Sequence, residues 1–378
     1  MAVTRLLPTD ESRELIDLTG DICDEVLDPI VDDHEKNRLY PAKVFETLGA
    51  TGLLSLPYPV EWGGGGQPYE VYLQVLEEIA ARWAAVAVAV SVHSLACHPL
   101  AAFGTDEQKQ RWLPDMLGGS RIGAYSLSEP QAGSDAAALR CKATPTAGGY
   151  VVRGEKAWIT HGGIADFYSV FCRTGQGSRA ISCLLVPGDL DGLNFGKPED
   201  KMGLHAVPTT AAFYDDAFIP LDRRIGDEGQ GLQIAFSALD SGRLGISAVA
   251  VGIAQAALDT AARYANERTT FGRKIIDHQG LSFLLADMAA AVISARATYL
   301  DAARRRDLGR PYSTQASVAK LVATDAAMKV TTDAVQVLGG AGYIRDYRVE
   351  RYMREAKITQ IFEGTNQIQR IVVARALT

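Results

Sequence analysis

Phe167-Tyr168-Ser169-Val170-Phe171 and Ile181-Ser182-Cys183-Leu184-Leu185-Val186 are the runs on which the architecture turns. Like Tyr150-Val151-Val152, they are short, β-rich and set off by glycine, proline and aspartate turns, so the span from about 122 to 225 reads as strands. Outward from it, both flanks are helical. On the N-terminal side Val44, Phe45 and Leu48 keep a helical spacing, and Tyr72, Val75, Leu76 and Ile79 repeat it after the loop Trp62-Gly63-Gly64-Gly65-Gly66. On the C-terminal side, after Gly229-Gln230-Gly231, alanine-rich helical periods run over 245–268, 281–306 and 313–338. The expected fold is α+β, with an N-terminal helical domain over 1–118, a central β-barrel-like domain over 119–228 and a C-terminal four-helix bundle over 229–378. The alanine-rich faces suit close helix contacts within the chain or between subunits.

The chain has 378 residues, 47% hydrophobic and 22% charged, with a formal net charge of −7. That length allows two or three domains, and the acidic balance gives no general attraction to nucleic acid or anionic membrane. Residues 1–18 lack a basic-then-apolar leader, so a cytoplasmic rather than exported protein is expected. Residues 83–104 carry no formal charge and approach the length of a membrane span. Ser91, His93, Ser94, His98 and Pro99 interrupt that run, which favours a buried core helix. Cys23, Cys97, Cys141, Cys172 and Cys183 are odd in number and without a CxxC pair, so core thiols are expected rather than disulfides or zinc ligands. His93 and His98 do not share a helix face well and no glutamate follows His93, so no metal is expected there. The marks of a Rossmann dinucleotide site, a phosphate loop and a serine-esterase elbow are all missing.

Four segments remain. The first is Ala124-Tyr125-Ser126-Leu127-Ser128-Glu129-Pro130-Gln131-Ala132-Gly133-Ser134-Asp135, a polar turn after a strand. The second, Trp158-Ile159-Thr160-His161-Gly162-Gly163, reads as a strand with an amphipathic aromatic. The third is Glu267-Arg268-Thr269-Thr270-Phe271-Gly272-Arg273, followed by Asp277-His278-Gln279. Its arginine and hydroxyls suit a phosphate, and equally a charged helix end. The fourth begins at Gln336-Val337-Leu338-Gly339-Gly340-Ala341-Gly342-Tyr343 and runs on to Glu363-Gly364-Thr365-Asn366-Gln367, where a helical pattern breaks at a carboxylate. With a glycine after it that lets a ligand approach the backbone, Glu363 is a candidate proton acceptor; Glu363 and Thr365 also read as caps of the last helix.

In their order and spacing these segments resemble the acyl-CoA dehydrogenase family, over essentially the whole chain. The resemblance implies that Tyr125, Leu127 and Ser128 lie along the flavin of FAD, that Trp158, Ile159 and Thr160 meet its ring, and that Ser134 meets the CoA part of the substrate. It implies that Arg268, Thr270, Phe271, His278 and Gln279 hold the FAD pyrophosphate across a subunit contact, with Gln336, Gly339, Gly340, Thr365 and Gln367 also on the cofactor. Asp240, Arg243 and Gly364 are implied substrate contacts, although Asp240 and Arg243 also read as a surface ion pair on a helix. Many relatives carry Asn where this chain has His161.

The implied reaction is α,β-dehydrogenation of a saturated acyl-CoA to the trans-2-enoyl-CoA, as in fatty acid β-oxidation. Such a reaction needs a base for the α proton and a hydride acceptor for the β carbon, and the resemblance assigns these to Glu363 and flavin N5. It also implies polarisation of the thioester oxygen by the Glu363 N–H and a ribityl hydroxyl. A minority of relatives carry the glutamate at about the place of Gly242. An electron-transfer flavoprotein as acceptor and a homotetramer are further implications. Three alternatives stay open: a flavin oxidase, a carrier-protein-linked dehydrogenase, and a flavin-binding protein without turnover.

Overall fold

The computed structural model describes residues 3–177 and 180–378. Six helices come first: α1 (Asp10–Ile22), α2 (Val31–Asn37), α3 (Ala42–Ala50), α4 (Tyr69–Arg82), α5 (Ala84–Phe103) and α6 (Asp106–Leu117). The Thr9 side chain caps α1, and Thr105 with Gln108 forms a reciprocal capping box on α6, so the exposed starts of both helices have their first amides satisfied. The uncharged stretch 83–104 is the core helix expected from its interruptions, since α5 is buried at nearly every position before Pro99.

The β region holds β1 (Gly123–Ser126), β2 (Lys142–Thr146), β3 (Gly149–Thr160), β4 (Phe167–Arg173), β5 (Ile181–Pro187), β6 (Leu193–Phe195), β7 (Thr209–Pro220) and β8 (Arg224–Ile225). They form one mixed sheet in the order β6-β7-β3-β2-β4-β5-β8, with β1 running parallel to β4. The stretch that decided the fold forms its centre: β4 and β5 pair antiparallel from Phe167 opposite Pro187 to Arg173 opposite Ile181, and both are buried along most of their length. Burial on both faces explains why they read as continuous apolar runs. The expected barrel does not close. The edge strands β6 and β8 are three and two residues long and pair with β7 and β5 only, among the described residues.

The C-terminal region has α7 (Gly231–Glu267), a hairpin of β9 (Thr269–Thr270) and β10 (Arg273–Lys274), then α8 (Gln279–Asp307), α9 (Ser313–Leu338), α10 (Val349–Thr359) and α11 (Asn366–Arg375). Helix α7 starts well before the expected residue 245, because its glycines mark close packing rather than breaks. A Cβ at Gly245 would lie 2.4 Å from Ser91 Oγ of α5, and one at Gly252 would lie 2.3 Å from the Glu77 carbonyl of α4. The α4 backbone and the Ser91 side chain of α5 therefore pack directly on the α7 backbone, and the helix keeps its hydrogen bonds at a cost of about 1 kcal/mol per glycine relative to alanine.

Helices α4 and α8 are tied by a buried charge cluster. The Glu77 carboxylate accepts bonds from Arg296 Nε at 3.0 Å and Nη2 at 2.9 Å and from the Tyr299 hydroxyl, with Arg5 at 3.1 Å. The two guanidinium groups hold Glu77 below the usual carboxylate range against the opposing effect of burial. Truncating this acid would leave Arg296 facing the core without a carboxylate, while Arg5 would keep Glu78 at 2.8 Å. Glu77→Ala is expected to lower unfolding stability by about 3–5 kcal/mol in a denaturant titration; a change below about 1 kcal/mol would show that the cluster is not holding the helices together.

Candidate active site

Glu363 stands between α10 and α11 with φ +53°, a left-handed conformation that a residue with a side chain adopts only when its surroundings impose it; Gly364 follows at φ +94°. The surroundings are specific. The Gly364 carbonyl accepts a bond from Lys320 Nζ of α9 at 2.8 Å and another from Gln369 Nε2 at 2.8 Å. Asn366 donates to Thr324 Oγ1 and Asp325 Oδ1 of the same helix, at 2.9 and 2.7 Å. The two readings of this stretch separate here. Thr365 caps α11 by accepting from the Ile368 amide, whereas both Glu363 carboxylate oxygens are closed to solvent and have no hydrogen-bond partner among the described residues.

An unsolvated carboxylate resists ionisation, and burial pushes Glu363 up to about 7, with Lys320 and Arg243 pulling the other way. Space for it comes from α7. A Cβ at Gly242 would lie 2.0 Å from Glu363 Oε2, so the carboxylate lies against bare backbone. Positions 242 and 363 thus converge on one point, and a glutamate at both would collide.

Two voids flank the turn that carries Glu363. The larger, about 280 Å³, is lined by Ala85 and Val88 of α5, Trp158 and Thr160 of β3, the 201–204 loop, and Ile361 with Phe362. Trp158 sits at a bulge where β3 slips register against β7, with φ +58° and half its surface exposed. The Thr160 hydroxyl has no hydrogen-bond partner among the described residues. Apolar walls, an indole face and a free hydroxyl at the rim fit a planar heteroaromatic ring such as that of FAD. The smaller void, about 10 Å³, meets the next turns of α5 at Ser91, Ser94 and Leu95 and reaches Gly242, Tyr69 and Arg306. That is room for about one water.

The other expected site residues fall into separate places. Tyr125 packs tilted against Phe171, with ring centroids 5.1 Å apart, and donates to the Ala235 carbonyl of α7. Leu127 and Ile159 are buried in the apolar core and neither lines the larger void; Ser128 is half-buried and Ser134 exposed. Asp240 and Arg243 pair at 2.6 Å, but inside the protein rather than on its surface, and burial raises the Asp240 carboxyl. Gln367 is exposed on α11. Arg268, Thr270 and Phe271 belong to the hairpin at the far end of α7, about 39 Å along the helix from Gly242, with His278 and Gln279 at the start of α8. Phe271 is 96% exposed, and Gln336, Gly339 and Gly340 also face solvent at the end of α9. These eight residues do not join the voids beside Glu363 within one chain.

Sequence reasoning missed three contributors. Lys156, fully buried on β3, donates to Glu129 Oε1 at 2.8 Å and to the Leu127 carbonyl at 3.0 Å, which ties the first segment to the strand carrying Trp158. The 201–204 loop closes the larger void, and Lys320 anchors the Glu363 turn. Each is a lone residue or loop without a pattern, and the one available signal was a lysine at a buried strand position. His161, where the family often has Asn, points away from the voids. It donates through Nδ1 to the Gly123 carbonyl at 2.9 Å, while the Gly123 amide donates to His93 Nδ1 at 3.0 Å. Burial lowers these two imidazoles to about 4 and about 3, so both are neutral clamps on β1.

Sequence models of the acyl-CoA dehydrogenase N-terminal, middle and C-terminal domains match residues 9–120, 124–217 and 229–378. A short-chain specific acyl-CoA dehydrogenase of Clostridium acetobutylicum is 38% identical over 97% of this chain and 97% of its own. The solved structure of butyryl-CoA dehydrogenase from Megasphaera elsdenii superimposes with a TM-score of 0.96 at 37% identity, covering 99% of this chain and 100% of that one. A structure described as an electron transferring flavoprotein of Acidaminococcus fermentans also gives 0.96, at 40% identity and 99% coverage of both chains.

Gly242→Ala tests the geometry without touching the acid itself. The added methyl must displace the Glu363 carboxylate, so turnover is expected to fall about 100-fold with the melting temperature and flavin content little changed. Unchanged turnover would mean that the carboxylate position does not matter.

Proposed function

The chain belongs to the acyl-CoA dehydrogenase family, and we propose that it acts on short-chain acyl groups with Glu363 as the base. It is an FAD-dependent oxidoreductase that dehydrogenates a saturated acyl-CoA thioester between its α and β carbons. The observation that carries the assignment of the base is the Glu363 carboxylate, closed to solvent, with no hydrogen-bond partner among the described residues, and lodged against Gly242 between the two voids. The α proton of a thioester is weakly acidic, and a carboxylate poised near neutrality and stripped of solvent is a stronger base than one in water. FAD, when bound, supplies the acceptor for the hydride that leaves the β carbon.

The chain's own residues define the rest of the assignment. Trp158, Thr160 and the backbone of Ile159 would hold the ring, supported from behind by the Lys156–Glu129 pair and by Tyr125, Leu127 and Ser128. The Glu363 amide would donate to the thioester oxygen, and Arg243 and Asp240, with Ser134 and Gly364, would meet the CoA side. Short acyl length is supported by the small space beyond Gly242, which Leu95, Tyr58 and Tyr69 enclose, and by the names of the short-chain relatives.

The distance of Arg268, Thr270, Phe271, His278 and Gln279 from Glu363 supports an assembly in which they serve another subunit's cofactor, with Gln336, Gly339 and Gly340 alongside. A long apolar stretch of α8 that lies mostly unburied in the single chain supports the same reading, and we assign a homotetramer. Likeness to the flavoprotein of Acidaminococcus fermentans supports an electron-transfer flavoprotein as the acceptor.

Anaerobic titration with saturated acyl-CoAs of increasing length tests this reading. Butyryl-CoA is expected to bleach the flavin band fastest, with rates falling steeply by octanoyl-CoA; a maximum at octanoyl or longer would overturn the short-chain assignment. The base must be ionised to accept a proton, so the butyryl-CoA rate should rise with pH through a midpoint near 7. A rate already flat from pH 5 upward would contradict Glu363 as the base.

A further inference from the structure

Lys320 is fully buried on α9, and none of its hydrogen-bond partners is an acid: the Gly364 carbonyl at 2.8 Å and Asn366 Oδ1 at 3.0 Å. Among the described residues no carboxylate lies within ion-pair distance of its Nζ. A buried ammonium held by neutral acceptors alone is costly, and a glutamine or methionine of similar length would fill the same space without that cost. The acid it does face is Glu363, one residue from the carbonyl it binds, whose carboxylate is itself unpaired. Two ionisable groups of opposite sign, neither with a directly bonded counter-charge among the described residues, thus sit at one strained turn.

We propose that Lys320 is a positioning residue for the reaction, fixing the Glu363 turn through the Gly364 carbonyl and favouring the ionised form of the Glu363 carboxylate by the field of its charge. The inference rests on Glu363 being the base. The two roles are separable, because Gln369 Nε2 donates to the same carbonyl without carrying a charge.

Other groups facing Glu363 do not replace Lys320. Arg243 of α7 also reaches it electrostatically, but its charge is engaged by Asp240 at 2.6 Å. Tyr69 and Tyr72 of α4 and Tyr125 of β1 approach it as neutral phenols, held so by burial. Asp325 of α9 also acts on Lys320, but it is already ion-paired with Arg370 at 3.1 Å and bonded by Gln360 and Asn366. Burial brings Lys320 itself down to about 7, against the opposing pull of Glu363, so the pair exchanges its protons in the same pH range.

The test is exchange of the α hydrogens of butyryl-CoA with deuterated solvent, read by mass spectrometry across pH on holoenzyme. Lys320→Gln, which can still donate to the Gly364 carbonyl, is expected to move the midpoint of exchange upward by at least about one pH unit. Gln369→Leu is expected to lower the plateau rate with the midpoint unmoved. Lys320→Met, which keeps the apolar stem, provides the same charge test if the glutamine variant does not fold. An unmoved midpoint in a folded Lys320 variant would overturn the electrostatic role. Persistent exchange in Glu363→Gln would instead overturn the assignment of the base, so the two failures are distinguishable.

Discussion

The rest of the site depends on the removal of water and hydrogen-bond donors from one carboxylate. In water a glutamate ionises far below neutrality and is a feeble base; enclosed without partners it holds its proton until about pH 7. Such a group is unfavourable wherever it occurs, so the fold must hold it in place. It does so with a left-handed backbone at Glu363, a glycine after it, two donors on the Gly364 carbonyl and a cap on the next helix. The strain and the desolvation sit on the same residue, as expected where local stability is given up for reactivity.

Helix α7 is the frame for this arrangement. Its glycines at 242, 245 and 252 let the Glu363 side chain, Ser91 of α5 and the Glu77 carbonyl of α4 press against bare helix backbone along one stretch. Its length does the opposite for the hairpin at Thr269–Lys274, carrying Arg268 and Phe271 about 39 Å from Gly242. A single rigid rod therefore concentrates one half of the candidate site and exports the other. That separation is what the proposed assembly would bridge.

Much of the fold was legible because alternation, helical periodicity and turn chemistry are local. The β4–β5 pair and the bounds of α9 follow directly from such patterns. The early start of α7 was hidden because Gly242 and Gly245 look like breakers until the atoms filling their missing side chains are known. Barrel closure could not be read because it depends on edge strands of two and three residues. In the site, Glu363 stood out since it interrupts a helical pattern, and so did Trp158 and Thr160 through the resemblance. Lys320 and Lys156 did not, because a lone lysine among alanines or strand residues looks the same whether it reaches solvent or crosses the core. Their roles emerge only when Gly364 and Glu129 are brought to them by tertiary contact.

The most direct test is anaerobic stopped-flow reduction of the flavin by butyryl-CoA in Glu363→Gln, with flavin content and butyryl-CoA affinity measured alongside. Glutamine keeps the size of the side chain and removes its basicity, so reduction should slow by at least about 100-fold while flavin and ligand binding are retained. Reduction at the parental rate would show that the buried carboxylate is not the base.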